Sequence, residues 1–297
     1  MPVPVIDTHI HIWNLEKARY AWLEGDNSLL NRSYEIEELA TARQRAGIAG
    51  GVLVQAANNR DDTVLMLEAA AHADWIKGVV GWLPLTDPAA TEKTLTESYL
   101  KNTYFKGCRH LIHNEADPDW LLQEPVLESL EILAGYKYSY DVVGINDRHL
   151  LAAIRVAEKI PGLKIVLDHL NQPPVSSRQR FGNWGTLMKE AASHANVFAK
   201  ISGLGTTTGK GESWTPADIQ PYVTHTLETF GTGRCFCGGD WPVSLLAGAY
   251  ERTWSIYREV LEAALPEAEQ HKVFWQNAQA FYQLETEPQV ITKQAQQ

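Results

Sequence analysis

The sequence predicts a single, somewhat distorted (β/α)8 barrel. Eight short apolar segments rich in β-branched residues recur along the 297 residues, and stretches with helical spacing separate them. Strands that alternate with helices are typical of a parallel sheet, and eight such units close a barrel. An open doubly wound sheet is the alternative, but it usually carries a glycine-rich phosphate loop after its first strand. The segment THIHIWN, which follows the first apolar run, contains no glycine.

The predicted strands lie, in chain order, in PVPVIDTHI, GGVLVQAA, IKGVVGWLPL, FKGCRHLI, YSYDVVGI, LKIVLDHL, NVFAKISGL and RCFCGGDWPV. Between them, DTVLMLEAAAHA and AYERTWSIYREVLEAAL repeat apolar residues with helical spacing. A third helix, PADIQPYVTHTLETF, follows a Thr-Pro start. No Gly/Ser or Pro run divides the chain, so we expect the barrel to span residues 1–285. The polar, aperiodic segment 286–297 reads as a tail.

The composition of the chain indicates which partners, disulfides and cellular location to expect. The chain has 26 Lys and Arg against 36 Asp and Glu, and this net charge of −10 argues against a nucleic-acid partner. Three cysteines give no disulfide framework. A basic leader and a run of about 18 apolar residues are both missing, so we expect no membrane association and a cytoplasmic location. Helix faces rich in Trp and Tyr leave a homo-oligomer open.

Titratable and aromatic residues gather at the predicted strand ends. In a (β/α)8 barrel the active site lies at the C-terminal ends of the strands, so these side chains converge. In chain order the strand ends carry Asp7, His9 and His11; Trp82; Arg109 and His110; Asp141; Asp168 and His169; and Asp240 and Trp241.

Among these residues, His9 and His11 form the clearest pair. Alternate residues on a strand share a face, so both imidazoles point into the barrel, either to bind a metal ion or to polarise a substrate oxygen. Asp240, in GGDWP, supplies a carboxylate at the barrel mouth that can take a proton from water. His169 lies at the end of the sixth strand. Asp168 precedes it, and we expect its side chain to face away from that site.

Other residues are candidates for substrate binding. Neighbours on a strand face opposite ways, so either Arg109 or His110 is expected in the pocket, where an arginine would bind a carboxylate or hydroxyls. Asp141 also lies at a strand end, and a pocket with acidic groups suits hydroxylated rings. Four tryptophans near the predicted mouth are placed to stack on a sugar ring: Trp13, Trp22, Trp82 and Trp241. Cys235 and Cys237 share a side of the last strand, where we expect them to be core residues.

Taken together, VIDTHIHIW, LVQAA, VVGWLPL, KGCRHLI, VLDHLNQPP, KISGL, WTPADIQPYV and GGDWPVSLLAGAY closely resemble the sugar-lactonase branch of the amidohydrolase superfamily. The resemblance runs in order from about residue 5 to residue 284. It implies a distorted (β/α)8 barrel that hydrolyses lactones of aldonic acids, such as L-fuconolactone or L-rhamnonolactone. Relatives open pyrone-dicarboxylate or muconolactone-type rings, and that substrate class is the alternative.

The resemblance also implies roles for particular residues. His9 and His11 match the first-strand pair, and His169 and Asp240 match the later histidine and the last-strand aspartate. One divalent metal ion, most simply zinc, would bind these four residues, while metal-free catalysis stays open. Two-metal members add a carboxylated lysine and a second later histidine. The neighbours of Lys200 do not fit such a role, so we expect no two-metal centre.

These residues lead to a mechanistic hypothesis. Asp240 takes a proton from water, and His9, His11 and His169, with or without zinc, polarise the lactone carbonyl. Protonated Asp240 then returns the proton to the leaving ring hydroxyl. Two rivals are a metal-dependent decarboxylase of aromatic acids, which shares the fold and the histidine pair, and a barrel that binds a sugar acid without turnover.

Overall fold

The computed structural model describes residues 3–177 and 180–285, and within them the predicted barrel is confirmed. Eight parallel strands follow one another around a single sheet in chain order. They are β1 (Val5–Ile10), β2 (Ile48–Val54), β3 (Ile76–Gly81), β4 (Phe105–His110), β5 (Ser139–Val142), β6 (Lys164–Leu167), β7 (Val197–Ile201) and β8 (Cys235–Cys237). Seven of them lie inside the segments predicted from the sequence, and β2 begins at Ile48, two residues before its predicted segment.

The helices surround the strands, and the three clearest helix predictions are confirmed. In chain order the α-helices are α1 (Ala40–Ala46), α2 (Arg60–His72), α3 (Pro88–Thr94), α4 (Glu124–Gly135), α5 (Asp147–Lys159), α6 (Gly182–Ala192), α7 (Leu204–Thr207), α8 (Pro216–Phe230), α9 (Tyr250–Ala264), α10 (Glu267–His271) and α11 (Asn277–Tyr282). Helix α8 begins as its Thr-Pro start indicates, because Thr215 and Asp218 form a reciprocal capping box.

The distortion of the barrel lies where its first and last strands meet. Strands β1 and β8 are joined through an isolated parallel bridge between Ile10 and Trp241 rather than a regular ladder. The backbone N–H of Asp240 donates to the carbonyl of His9 at 2.7 Å, and the Thr8 hydroxyl donates to the carbonyl of Cys237 at 2.7 Å. This closure brings the end of β1 directly against the chain that follows β8.

Apolar side chains and the C-terminal helix fill the lower half of the barrel. Ile6, Val52, Val80, Val166 and Phe236 form one buried cluster with residues of α11 and the turn before it. The space inside is packed there, and the cavity described below lies at the other end, at the C-terminal ends of the strands.

The structure also bears on the predictions for the cysteines and for membrane association. Cys108, Cys235 and Cys237 are free and buried, as predicted for the last two. Among the residues that the structure describes, no helix combines the length and apolar character needed to cross a bilayer. The predicted tail, residues 286–297, lies outside the described residues.

Candidate active site

His9, on β1, and His11, the first residue after β1, lie together on one side of the chain, as strand alternation predicts. Their ring centroids are 4.7 Å apart and nearly perpendicular, and both side chains are buried. Burial lowers the pKa of each imidazole, and for His9 the pKa falls well below its ordinary value. Both rings are therefore neutral at pH 7.

The hydrogen bond of His11 fixes its tautomer. The Nδ1 atom lies 2.7 Å from the carbonyl oxygen of Val54, which can only accept, so Nδ1 carries the hydrogen. The Nε2 atom of neutral His11 therefore holds a lone pair, and it faces Oδ1 of Asp240 at 3.4 Å. Two electron-rich atoms oppose each other there. A proton or a metal cation between them would relieve that repulsion.

The backbone around Asp240 aims its carboxylate at the imidazoles. Asp240 has a φ of 58°, in the left-handed region that Asp tolerates better than most residues. A Cβ on Gly238, two residues before Asp240, would lie 2.5 Å from Cβ of His9, so glycine is required for this close approach. Asp240 Oδ1 lies 3.8 Å from Nε2 of His9 and 4.0 Å from Nε2 of His169.

His169 reaches the site from a left-handed turn. Residues 169–172 all have φ values near +50°, so the chain leaves the strand geometry immediately after β6. The ring lies 4.5 Å from that of His9, and its Nδ1 is 2.9 Å from the hydroxyl oxygen of Ser202. Three imidazoles, from β1 and the end of β6, thus present Nε2 to one carboxylate oxygen.

Of the two candidates at the end of β4, Arg109 faces the cavity. Its Nη1 lies 3.2 Å from Oδ2 of Asp168 and 3.2 Å from Nε2 of His9. Its Nε donates to the side-chain oxygen of Gln55 at 3.0 Å, and Nη2 donates to the Gln55 carbonyl. His110 points elsewhere, because its Nε2 pairs with Glu115 at 2.7 Å and its ring stacks on a tryptophan.

The prediction that Asp168 faces away from the site is wrong. Val166 points into the barrel, so Asp168, two residues later, points the same way. Its Oδ1 lies 2.7 Å from Nζ of Lys200 and 3.5 Å from Nδ1 of His9. Burial would raise the pKa of Asp168, but Lys200, His9 and Arg109 outweigh it and hold that pKa well below its usual range.

Beneath the imidazoles lies a buried charge network. Lys200 Nζ donates to Asp141 Oδ2 at 2.6 Å and forms an ion pair with Asp168 Oδ1 at 2.7 Å, and its side chain is fully buried. With Arg109, the network holds two cations and two carboxylates, which suits burial because every charge has a partner. Lys200 acts here as a counter-ion. Sequence reasoning missed this, although a lysine on a barrel strand is itself a signal, since lysine is rarely buried without a partner.

Above the network a cavity of about 230 Å³ opens at the barrel mouth. Its lining comprises His11, Trp13, Trp22, Ala56, Arg109, Leu111, His113, Val143, His169, Gln172, Gly203, Thr206, Thr207, Asp240 and Val243. Four residues predicted to bind substrate do not line it: His110, Trp82, Asp141 and Trp241. Of that predicted group, Arg109 does. The loop residues His113, Gln172, Thr206 and Thr207 follow strands but carry no motif of their own, so sequence patterns do not mark them as lining residues.

The donor set fits a single divalent cation. One ligand atom each from His9, His11 and Asp240 can be chosen within 4.8 Å of one another. Ligand atoms about 2 Å from a common zinc ion lie roughly 3–4 Å apart, as the separations from Asp240 Oδ1 do. The lone pair of His11 Nε2, which faces a carboxylate, is the observation that most favours a cation.

An eight-stranded parallel barrel with histidines and an aspartate gathered at its strand ends has the architecture of a hydrolase superfamily. Residues 6–284 match the family model described as Amidohydrolase, and the chain belongs to that family. An L-fucono-1,5-lactonase of Burkholderia ambifaria is 32% identical over 286 residues, covering 94% of this chain and 96% of the relative. An L-fucono-1,5-lactonase of Burkholderia multivorans is 28% identical, with the same coverage of both chains.

A solved structure extends the similarity to three dimensions. The crystal structure of an amidohydrolase from Burkholderia multivorans with bound zinc superposes with a TM-score of 0.85 at 28% identity. The match covers 95% of this chain and 99% of that one, so the two proteins share the whole barrel.

Proposed function

We propose that the protein hydrolyses the ring ester of a sugar lactone, of the L-fuconolactone or L-rhamnonolactone type. The observation that carries this proposal is the convergence of three imidazole nitrogens on one oxygen of Asp240 at the base of the cavity. The relatives named as L-fucono-1,5-lactonases support the substrate class.

The state of Arg109 favours an uncharged ring over a dicarboxylate. Among the cavity-lining residues in the described ranges, Arg109 is the one with a permanent positive charge. Its N–H groups already donate to Gln55, His9 and Asp168. A substrate with two carboxylates would find no free cation to pair with, and its charges would be buried at a cost.

The cavity walls suit a hydroxylated ring. Trp13 and Trp22 donate their indole N–H groups to backbone carbonyls, so they offer apolar surface to the cavity. The hydroxyls of Thr206 and Thr207 both donate to the carbonyl of Gly203, which leaves their oxygens able to accept hydrogen bonds from substrate. Proteins bind sugars by packing aromatic rings against the C–H faces of the sugar and by accepting hydrogen bonds from its hydroxyls.

In the proposed reaction, water attacks the lactone carbonyl carbon and Asp240 accepts a proton from that water. The bond from the carbonyl carbon to the ring oxygen then breaks, and Asp240 returns the proton to this oxygen, which becomes a hydroxyl. Neutral His11 cannot donate to the developing oxyanion, because Val54 holds its single N–H. A zinc ion held by His9, His11, His169 and Asp240 would supply the Lewis acidity at the carbonyl.

We also propose that the enzyme acts in carbohydrate catabolism and that it is located in the cytoplasm. Three free, buried cysteines suit a reducing compartment. The product is a hydroxy acid, which ionises at neutral pH and releases one proton for each ring opened.

Proton release from a panel of lactones, followed with a pH indicator, tests the proposal. The panel holds fucono-, rhamnono-, galactono- and xylonolactones beside a pyrone dicarboxylate and a muconolactone. We expect fast turnover of a sugar lactone, and loss of turnover on chelation with recovery on adding zinc. Activity confined to the aromatic-derived rings would replace the substrate class, and carbon dioxide release from an aromatic acid without any lactonase activity would replace the reaction.

A further inference from the structure

Arg109 and the cation site share one nitrogen. The Nη1 atom of Arg109 lies 3.2 Å from Nε2 of His9. A guanidinium can only donate, so this contact is a hydrogen bond to the Nε2 lone pair when His9 carries its hydrogen on Nδ1, the atom that faces Asp168 at 3.5 Å. That same Nε2 is the atom by which His9 faces Asp240. One lone pair cannot accept an N–H and bind a metal ion at once, so the two uses of His9 exclude each other.

The guanidinium is held firmly in this position. Arg109 is only 3% exposed, and Gln55 and Asp168 anchor the side chain from two directions. Arginine stays charged at every pH that a folded protein experiences. A divalent cation that enters the site therefore meets both a competitor for one ligand and a fixed positive charge close by.

The same atom, Nη1 of Arg109, contacts both Asp168 and His9, each at 3.2 Å. Lys200 lies 2.7 Å from the other oxygen of Asp168 but also pairs with Asp141, so Arg109 completes the charge balance of the two carboxylates. Arg109 is therefore held by Asp168 at the position from which it reaches His9.

We propose that Arg109 sets the metal affinity of this centre, by competing with the divalent cation for Nε2 of His9 and by repelling it. The metal then binds weakly and exchanges readily, and full occupancy requires the guanidinium to withdraw. This inference goes beyond the lactonase proposal and holds whichever substrate the cavity takes.

Zinc titration of chelator-stripped full-length protein against a chromophoric zinc indicator tests the proposal. Arg109→Leu removes the charge and the donor, and we expect its zinc dissociation constant to fall at least tenfold. Arg109→Lys keeps the charge and should stay within about threefold of wild type. The matched control Arg155→Leu removes an exposed arginine on α5 and should bind zinc like wild type.

A folded Arg109→Leu variant that binds zinc no more tightly than wild type would overturn the proposal. Because that variant removes a buried charge on which folding can depend, a second measurement uses the wild-type protein alone. Crystal structures with and without saturating zinc should show Nη1 of Arg109 moving to more than about 4 Å from Nε2 of His9 when zinc binds. Zinc bound with that 3.2 Å contact intact would refute the competition.

Discussion

At the scale of single residues, Asp240 has the central role in the proposed reaction, because it accepts the proton from water and returns it to the ring oxygen. Asn keeps the shape of this side chain and also tolerates the left-handed φ of 58°, so Asp240→Asn should fold normally. It cannot accept a proton from water. We expect kcat for the best lactone to fall by about 10²–10⁴, the usual range for a lost general base, as measured by indicator assay at saturating substrate.

The control for this change is an exposed aspartate away from the cavity. Asp87 caps helix α3 through its side chain, and Asp87→Asn keeps that cap and should leave kcat unchanged. Near-normal activity in Asp240→Asn would show that another group accepts the proton.

His113 gives a prediction about pH. Burial, with a smaller effect from the nearby charge of Arg109, lowers the pKa of His113 from 6.5 to about 4. Between these values the unfolded chain binds more protons than the folded one, so this group makes the protein lose stability as the pH falls from 6.5 toward 4. The loss from such a shift is about 2–3 kcal/mol.

Urea denaturation at several pH values between 4 and 7 measures this effect. His113→Gln removes the titrating group, so the free energy of unfolding should fall less steeply on acidification than in wild type. Parallel pH profiles for the two proteins would mean that His113 titrates normally in the folded state.

The residues of the site were predictable to different degrees. The positions of the predicted strands were enough to place four residues at one end of the barrel: His9, His11, His169 and Asp240. Which side chains pair was not predictable, because it depends on how far the strands are staggered around the barrel. The contacts of Arg109 are of this kind.

At the scale of elements, the turn after β6 and the start of α7 together position His169. Gly203 has a φ of 61°, and a Cβ there would lie 2.5 Å from Nδ1 of His169. Gly203→Ala should therefore displace the imidazole and lower kcat at least tenfold. Gly209→Ala is the matched control, since Gly209 has a φ of 67° but no atom within 4 Å of the added Cβ.

Both alanine variants should lose about 1 kcal/mol of stability from backbone strain alone. Only Gly203→Ala should also lose activity, as measured by kcat on the same lactone. Equal activity losses in the two variants would indicate that strain, rather than the contact with His169, is responsible.

The strands were largely predictable from the sequence, and the one conformation that was not, after β6, has a physical cause. Apolar segments between helical stretches located every strand, because both faces of a barrel strand are buried. The left-handed run at residues 169–172 was not predictable, since VLDHLN contains no glycine to mark it. Tertiary contacts impose that conformation, and it explains why His169 reaches the site although its neighbour Asp168 also points inward.

At the scale of the whole molecule, the C-terminal helix ties the barrel floor to the charge network. The hydroxyl of Tyr282, on α11, donates to Oδ2 of Asp141 at 2.6 Å, and both residues are fully buried. Tyr282→Phe leaves the ring in place but removes a hydrogen bond to a charged group. We expect the free energy of unfolding to fall by about 1–3 kcal/mol in urea denaturation.

Tyr138→Phe serves as the comparison, because Tyr138 lies near the same end of the barrel but is only partly buried. Its stability should stay within about 0.5 kcal/mol of wild type. If Tyr282→Phe were equally stable, the bond to Asp141 would contribute nothing to folding.

The junction of β1 with the chain after β8 has a consequence for synthesis on the ribosome. Thr8 and Cys237, which bond across this junction, are separated by 229 positions in the sequence. The two imidazoles of the first strand emerge early, but their carboxylate partner emerges only when most of the chain has been translated. A truncated product that stops before β8 therefore contains the histidines without a working centre, and any metal must be acquired after translation of the last strand.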